Sequence, residues 1–113
     1  MTPSPVSIHP YFKAHPGSLE LIKTLLPRFV AKTSTEPKKL YYEFSLNGDE
    51  IFCREAYADA DGALTHLQNV GEELGEMLKL SDLVRLEIHG PEDELEKLRV
   101  PLAELNPAWF ITV

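Results

Sequence analysis

The stretch that decides the fold runs from Lys39 to Tyr57 and reads KLYYEFSLNGDEIFCREAY. Apolar and polar residues alternate on both sides of Asn47-Gly48, which is the pattern of two strands that each bury one face. An Asn-Gly pair readily adopts the positive φ angles that a two-residue turn between right-twisted strands requires. The stretch therefore predicts a β-hairpin whose turn is Asn47-Gly48.

Working outward from the hairpin, a helical pattern and then a strand pattern follow on each side. Val6 to Phe12 and Leu83 to His89 alternate as strands, and Pro27 predicts a kink or an early end in the first helix. Apolar residues recur at helical spacing at Ile22, Leu25, Leu26, Phe29 and Val30 in the first helix, and at Ala63, Leu67, Val70, Leu74 and Met77 in the second, which Asp59 is placed to cap. The order β-α-β-β-α-β predicts an α+β protein with the ferredoxin-like, split βαβ arrangement.

The chain continues beyond this unit, whose core spans about residues 5–90, into a C-terminal extension over residues 91–113. Pro91 is placed to start a short charged helix over Glu92 to Leu98. The apolar end from Trp109 to Val113 needs a surface to cover it, either on its own sheet or at a sheet edge of a second subunit. Residues 1–113 thus read as a single domain with an apolar extended tail.

Composition narrows the class of protein. The 113 residues have 43% hydrophobic content and a net charge of -7, which suits one modest core and disfavours nucleic acid as a partner. A single cysteine, Cys53, excludes an internal disulfide and fits a reducing compartment. The N-terminus lacks the features of a signal peptide, and no apolar run is long enough to span a membrane. We therefore expect a cytoplasmic protein without a membrane partner.

Both helices of a split βαβ unit cover the same face of the sheet and leave the other face bare in a monomer. The residues expected under the helices are Val6, Ile8, Leu40, Tyr42, Phe44, Val84, Leu86 and Ile88. The opposite face is expected to carry Ser7, His9, Tyr11, Tyr41, Glu43, Ser45, Arg85, Glu87 and His89. Charged groups that alternate with aromatic rings favour a homodimer with two sheets packed face to face, and the alternative is a solvated face of a monomer.

His66 is the side chain best placed for chemistry. It borders the apolar stripe of the second helix and can look into a gap between helix and sheet, and its pKa range suits proton transfer near neutral pH. The alternative is a half-buried histidine held by a neighbouring acceptor. Asn69 lies one turn further on as a possible donor to an anion. The residues expected to line the gap are Tyr42, Phe44, Val70, Met77 and Trp109.

A second set of titratable residues consists of His9, Glu43, Glu55, Arg85, Glu87 and His89. We expect most of them on the dimer face, where structural ion pairing is the simplest role for such groups. Their spacing matches no metal-ligand motif, so no metal site is predicted. Cys53 is expected to be a small core residue because no linked histidine accompanies it.

Three segments give the chain a resemblance to the antibiotic biosynthesis monooxygenase family over about residues 5–90. They are Ile8-His9-Pro10-Tyr11-Phe12 with His15-Pro16-Gly17, then Leu40-Tyr41-Tyr42-Glu43-Phe44, and Glu55-Ala56-Tyr57-Ala58-Asp59 leading into Ala63-Leu64-Thr65-His66. The resemblance implies a dimeric α+β barrel with a pocket between helices and sheet in each subunit. It also implies oxidation of a small electron-rich aromatic substrate, such as a quinol or an anthrone, without a cofactor.

The chain departs from some relatives, in which a second histidine stands where this chain has Gly71. It also lacks an asparagine in the first strand and a tryptophan near the second helix, both of which the haem-degrading branch uses, so haem cleavage is disfavoured. Oxygen reacts readily with a carbanion or a phenolate, which requires a base and a dry pocket, and His66 with Asn69 would supply the polar groups. Two alternatives remain open: a non-catalytic module that binds a small ligand, and an isomerase or decarboxylase that uses His66 without oxygen.

Overall fold

The computed structural model describes residues 4–113. The elements are β1 (Val6–Ala14), α1 (Leu19–Thr33), β2 (Lys39–Asn47), β3 (Glu50–Tyr57), α2 (Ala60–Asn69), α3 (Gly71–Leu80), β4 (Ser81–Gly90), α4 (Glu92–Arg99), a 3-10 turn (Ala103–Leu105) and β5 (Ala108–Ile111). The sheet order is β2-β3-β1-β4-β5, with β5 parallel to β4 and the other neighbours antiparallel. The predicted ferredoxin-like α+β order is confirmed, with the extension added at one edge.

The hairpin forms, but its turn lies one residue later than predicted. Asn47 pairs with Glu50, so the two turn residues are Gly48 and Asp49. Gly48 has a φ of 61°, and Asp49 is not among the positive-φ residues. A glycine with positive φ at the first central position is typical of a type II′ turn, whereas the predicted Asn-Gly turn would need positive φ at both positions.

Two β-bulges reverse the predicted direction of two apolar side chains. The register of β2 against β3 shifts between Lys39 and Tyr41, and that of β4 against β1 shifts where Val84 is the extra residue. Leu40 is 54% exposed and Val84 is 56% exposed, so the prediction that both lie under the helices is wrong. A bulge places two residues opposite one and changes the alternation beyond it, which turns Leu83 toward the core instead.

The helices also differ in detail from the prediction. Helix α1 continues through Pro27 to Thr33 instead of ending early. The second predicted helix is divided at Val70 into α2 and α3, and Gly71, a weak helix former, begins α3. Asp59 caps α2 as predicted, because its side chain accepts a hydrogen bond from the Gly62 N–H at 2.8 Å.

The C-terminal tail lies on its own subunit. β5 pairs with β4, and the Thr112 N–H donates to the Gly90 carbonyl at 2.9 Å. The segment therefore takes the first of the two expected positions, on its own sheet, where one edge of β5 is paired along β4. No helix among residues 4–113 is both long and apolar enough to span a membrane.

Two clusters of buried apolar residues form the core between the sheet and the helices. One cluster lies mainly under α2 and α4 and contains Ile8, Leu86 and Leu102. The other lies mainly under α1 and α3 and contains Phe12 and Met77. Residues of both clusters line one shared chamber, so the chamber lies at their junction.

Candidate active site

An interior chamber separates the sheet from α1, α2 and α3. The cavity volume of the chamber is about 60 Å³. All of the space between atoms, including the solvent-filled opening, is about 590 Å³. The lining includes Phe12, Phe29, Tyr42, Phe44, Cys53, Glu55, His66, Val70, Met77 and Leu86. Most of these groups are apolar, so the few polar groups at the wall stand in a medium that excludes water.

His66 is the polar group at the centre of this wall. Helix α2 projects its imidazole toward the sheet, where it is only 2% exposed. Its ring lies 5.0 Å from the Tyr42 ring and 4.9 Å from the Tyr57 ring, measured between centroids. Two aromatic neighbours therefore fix the orientation of the imidazole from the side of β2 and β3.

The imidazole stands between two buried carboxyl groups. Nδ1 of His66 lies 3.0 Å from Oε2 of Glu36, and Nε2 lies 3.5 Å from Oε1 of Glu55. Glu36 does not line the chamber, whereas Glu55 and His66 both do. Glu36 thus holds the imidazole from behind, and the Nε2 side faces the chamber together with Glu55.

Two further groups fix these carboxylates. The Asn69 amide donates to Oε2 of Glu36 at 2.8 Å and to the Lys32 carbonyl at 2.9 Å. The Tyr57 hydroxyl donates to Oε1 of Glu55 at 2.7 Å. Each carboxylate therefore accepts a hydrogen bond from a neutral donor other than the imidazole, which restricts its movement.

Burial sets the protonation of this cluster. It lowers the pKa of His66, and the Glu36 carboxylate opposes that effect. Burial raises the pKa of Glu55 to about 7, although hydrogen bonds from Tyr57 and Cys53 work in the opposite direction. The neutral imidazole, with Nδ1–H donated to Glu36, leaves Nε2 free to accept a proton, while Glu55 exchanges its proton near neutral pH.

Cys53 and Tyr42 complete the polar side of the chamber without offering an anion. Burial is the main cause that raises the pKa of both groups, and the nearby Glu55 charge adds to the effect. A neutral, buried thiol is a poor nucleophile. Cys53 therefore fits the predicted core residue, and Tyr42 serves as a neutral wall and a possible donor.

The residues predicted to line the gap divide into two groups. Tyr42, Phe44, Val70 and Met77 line the chamber together with His66. Trp109 does not: it packs on the cluster under α4, with the Arg99 guanidinium 4.9 Å from its ring centroid. The reason is that β5 pairs beyond β4, at the sheet edge away from the chamber.

Asn69 also lies outside the chamber lining, and its amide is used by Glu36. Glu55 belongs to the titratable set that we expect mostly on the dimer face, but it pairs with Tyr42 across β2 and β3 and points to the chamber side. Its alternation with Ile51 and Cys53 on β3 was the signal that could have placed it there. Glu36 comes from the loop before β2, and no sequence pattern marks it.

Other residues of the predicted titratable set lie on the open face of the sheet, which is the face away from the helices. His9 and His89 have ring centroids 4.5 Å apart, and Phe110 stacks on His89 at 4.6 Å. Arg85 bonds Glu87, whose pKa this partner lowers. Among residues 4–113, no group of three or more His, Cys, Asp and Glu side chains is arranged to hold a metal ion.

The fold is shared with solved structures provisionally named antibiotic biosynthesis monooxygenases. One from Chloroflexus aurantiacus has a TM-score of 0.65 at 18% identity, covering 78% of this chain and 93% of that chain. One from Caulobacter crescentus has a TM-score of 0.68 at 16% identity, covering 76% of this chain and 88% of that chain. At these identities the likeness is one of fold, and the protein has the antibiotic biosynthesis monooxygenase fold.

A nearer likeness defines its family. The crystal structure of MupZ from Pseudomonas fluorescens matches with a TM-score of 0.94 and 43% identity, covering 100% of this chain and 88% of that chain. The chain belongs to the same family as MupZ. No family model matches the sequence, and no curated protein matches it either.

Proposed function

We propose that this protein is an enzyme that carries out acid–base chemistry on an apolar small molecule, with His66 as the base and Glu55 as its proton-exchanging partner. The observation that carries the proposal is the imidazole held between two buried carboxyl groups at the wall of an apolar chamber. In this proposal Nε2 of His66 takes a proton from the substrate, Glu36 stabilises the imidazolium that forms, and Glu55 exchanges protons with Nε2. Glu36 acts as a positioning residue because it does not touch the chamber.

In the oxidative form of the proposal, the substrate is an electron-rich aromatic such as a quinol or an anthrone. Proton abstraction would give an anion that reacts with molecular oxygen without a cofactor. The fold shared with provisionally named monooxygenases supports this form, as do the rings of Phe29, Tyr42 and Phe44 around the chamber. The nearby carboxyl groups disfavour a substrate that is already anionic when it binds.

Glu55 favours a second candidate, proton transfer without oxygen, as in an isomerase or a decarboxylase. Such a reaction takes a proton from one atom and returns one to another, which needs both a donor and an acceptor. Glu55 with a pKa of about 7 beside a neutral imidazole provides that pair, whereas the oxidation needs only the base. A third reading, a module that binds a small ligand without turnover, predicts no reaction at all.

Two measurements with one set of variants separate these candidates. Oxygen uptake is followed with a panel of hydroquinones and anthrones, and substrate deuterium exchange is followed under anaerobic conditions. His66→Ala is compared with His15→Ala, whose imidazole is 40% exposed and bonds Asp82 away from the chamber. Uptake that His66→Ala alone abolishes supports oxidation, and exchange without uptake supports the second candidate. Absence of both in the wild type would contradict the enzyme proposal.

We also propose that the protein is a homodimer through the open face of its sheet. A continuous row of rings lies there, with neighbouring centroids 4.5 to 6.2 Å apart, in the order Tyr11, Phe52, His9, His89 and Phe110. The arrangement supplies apolar area together with charges that already pair within the subunit. A solvated monomer is the alternative that sedimentation tests.

A further inference from the structure

A second cavity lies directly outside the chamber, and four leucines separate the two. It is an open groove in which the volume available to the centre of a water-sized sphere is about 640 Å³. One side of the groove is lined by α2, through Asp61, Leu64, Thr65 and Gln68. The other side is lined by Pro101 of the C-terminal extension. The leucines that line both the groove and the chamber are Leu67, Leu74, Leu102 and Leu105.

The four leucines between the groove and the chamber form a partition, and they come from two different parts of the fold. Leu67 and Leu74 belong to α2 and α3, whereas Leu102 and Leu105 belong to the segment between α4 and β5. In that segment the backbone N–H groups of Leu102, Ala103, Leu105 and Asn106 each donate to a carbonyl three or four residues earlier. These hydrogen bonds are local and none of them belongs to the sheet, and the four leucines are the residues among 4–113 that line both spaces.

The two cavities differ in chemistry along the direction from groove to chamber. The polar side of the chamber is formed by His66, Glu55, Tyr42 and Cys53, and the rest of its wall is apolar. The groove adds the hydrogen-bonding groups of Thr65 and Gln68 and the acidic Asp61. Negative groups at both ends disfavour an anionic ligand. The chamber alone holds only a small chemical group, because a cavity volume of about 60 Å³ accommodates a few water molecules.

We propose that the groove and the chamber together form one binding site for an elongated, uncharged molecule. Its reacting end lies at His66, its apolar middle passes between the four leucines, and a hydroxyl, ether or amide group at its outer end lies beside Thr65 and Gln68. Leu102 and Leu105, which the extension contributes, control entry. This inference rests on the proposed function because it places the reacting end of the ligand at the His66 imidazole.

The test uses linear 1-alkanols from hexanol to decanol as probes, with displacement of bound 1-aminoanthracene as the readout. In the wild type we expect the dissociation constant to fall about fourfold for each added methylene, the factor that corresponds to about 0.8 kcal/mol. Leu105→Trp narrows the passage between the four leucines. Decanol binding should therefore weaken at least tenfold, while hexanol binding should change less than twofold. Leu21→Trp on α1, where the leucine is 60% exposed, is the matched control and should change neither.

An affinity that stops rising at hexanol, or a Leu105→Trp variant that treats hexanol and decanol alike, would overturn the proposal. If that variant does not fold, Leu105→Ala decides by stopped-flow mixing: a wider partition should speed decanol association at least threefold, and an unchanged rate would refute the entry role. These readouts need no turnover. Failure of the alkanol series therefore leaves the His66 tests standing, and failure of the His66 tests leaves the alkanol series interpretable.

Discussion

Replacing Glu55 by Gln should stabilise the protein progressively as the pH rises. Glu55 is 5% exposed, and its pKa is raised by burial to about 7 from an ordinary value of 4.5. Glutamine has nearly the same shape, and its amide oxygen can still accept the hydrogen bond from Tyr57. The substitution thus removes the ionisation of the side chain while it retains most of the packing.

The magnitude follows from the two pKa values. Below about pH 4.5 the group is protonated in both folded and unfolded states and contributes no pH dependence. Between 4.5 and about 7 the unfolded chain loses its proton first, so the folded state loses stability as the pH rises. Since each pKa unit corresponds to about 1.36 kcal/mol, the free energy of unfolding should fall by about 3 kcal/mol over this window because of Glu55 alone.

The assay is urea unfolding of wild type and Glu55→Gln at several pH values from about 4 to 8, followed by the fluorescence of the single Trp109. The stability difference between the two proteins should grow by about 3 kcal/mol in favour of the variant, and the His66 titration, present in both, largely cancels. Glu43→Gln on β2, whose carboxylate is 66% exposed, is the control and should show no such trend. A difference that is flat with pH would refute the burial of Glu55 as described.

Three further predictions follow from other parts of the structure. Glu36→Leu removes the carboxylate oxygen that faces both the buried His66 Nδ1 and the Asn69 amide, and at pH 7 it should lower the urea unfolding free energy by about 1–3 kcal/mol; unchanged stability would contradict the observed contacts. A methyl group at Gly62 would lie 2.8 Å from Cβ of Lys38, so Gly62→Ala should lower the melting temperature. A methyl group at Gly75 would meet nothing within 4 Å, so Gly75→Ala should raise the melting temperature, and the opposite order would be inconsistent with this packing. Tyr11→Arg on the open face should convert a dimer to a monomer in sedimentation velocity, and a wild type that sediments as a monomer would exclude the proposed dimer.

The element order could be predicted from sequence because it depends on local periodicity. The hairpin, both helical stripes and strands β1 and β4 all show the period of their element within a few residues. Bulges could not be predicted in the same way, because the extra residues Leu40 and Val84 look like regular members of their strands. A bulge is fixed by the neighbouring strand, and that information lies far away in the chain.

The candidate site shows the same division. His66 could be identified from its position beside an apolar helical stripe, and Tyr42 and Phe44 from strand alternation. Glu36 could not, because only the return of the loop toward α2 brings it to the imidazole, 30 residues away in sequence. Alternation with Cys53 indicates the chamber side for Glu55, whereas its charge alone favours a solvated position, and the structure follows the alternation.

The protonation of His66 is the property on which the proposed chemistry depends, and nitrogen-15 NMR of the imidazole measures it. At pH 7 we expect a neutral ring that carries its proton on Nδ1, bonded to Glu36, with Nε2 unprotonated and a pKa below the ordinary 6.5. An imidazolium at pH 7, or a neutral ring protonated on Nε2, would refute the proposed role of His66 as a base, because neither form could accept a proton from a molecule in the chamber.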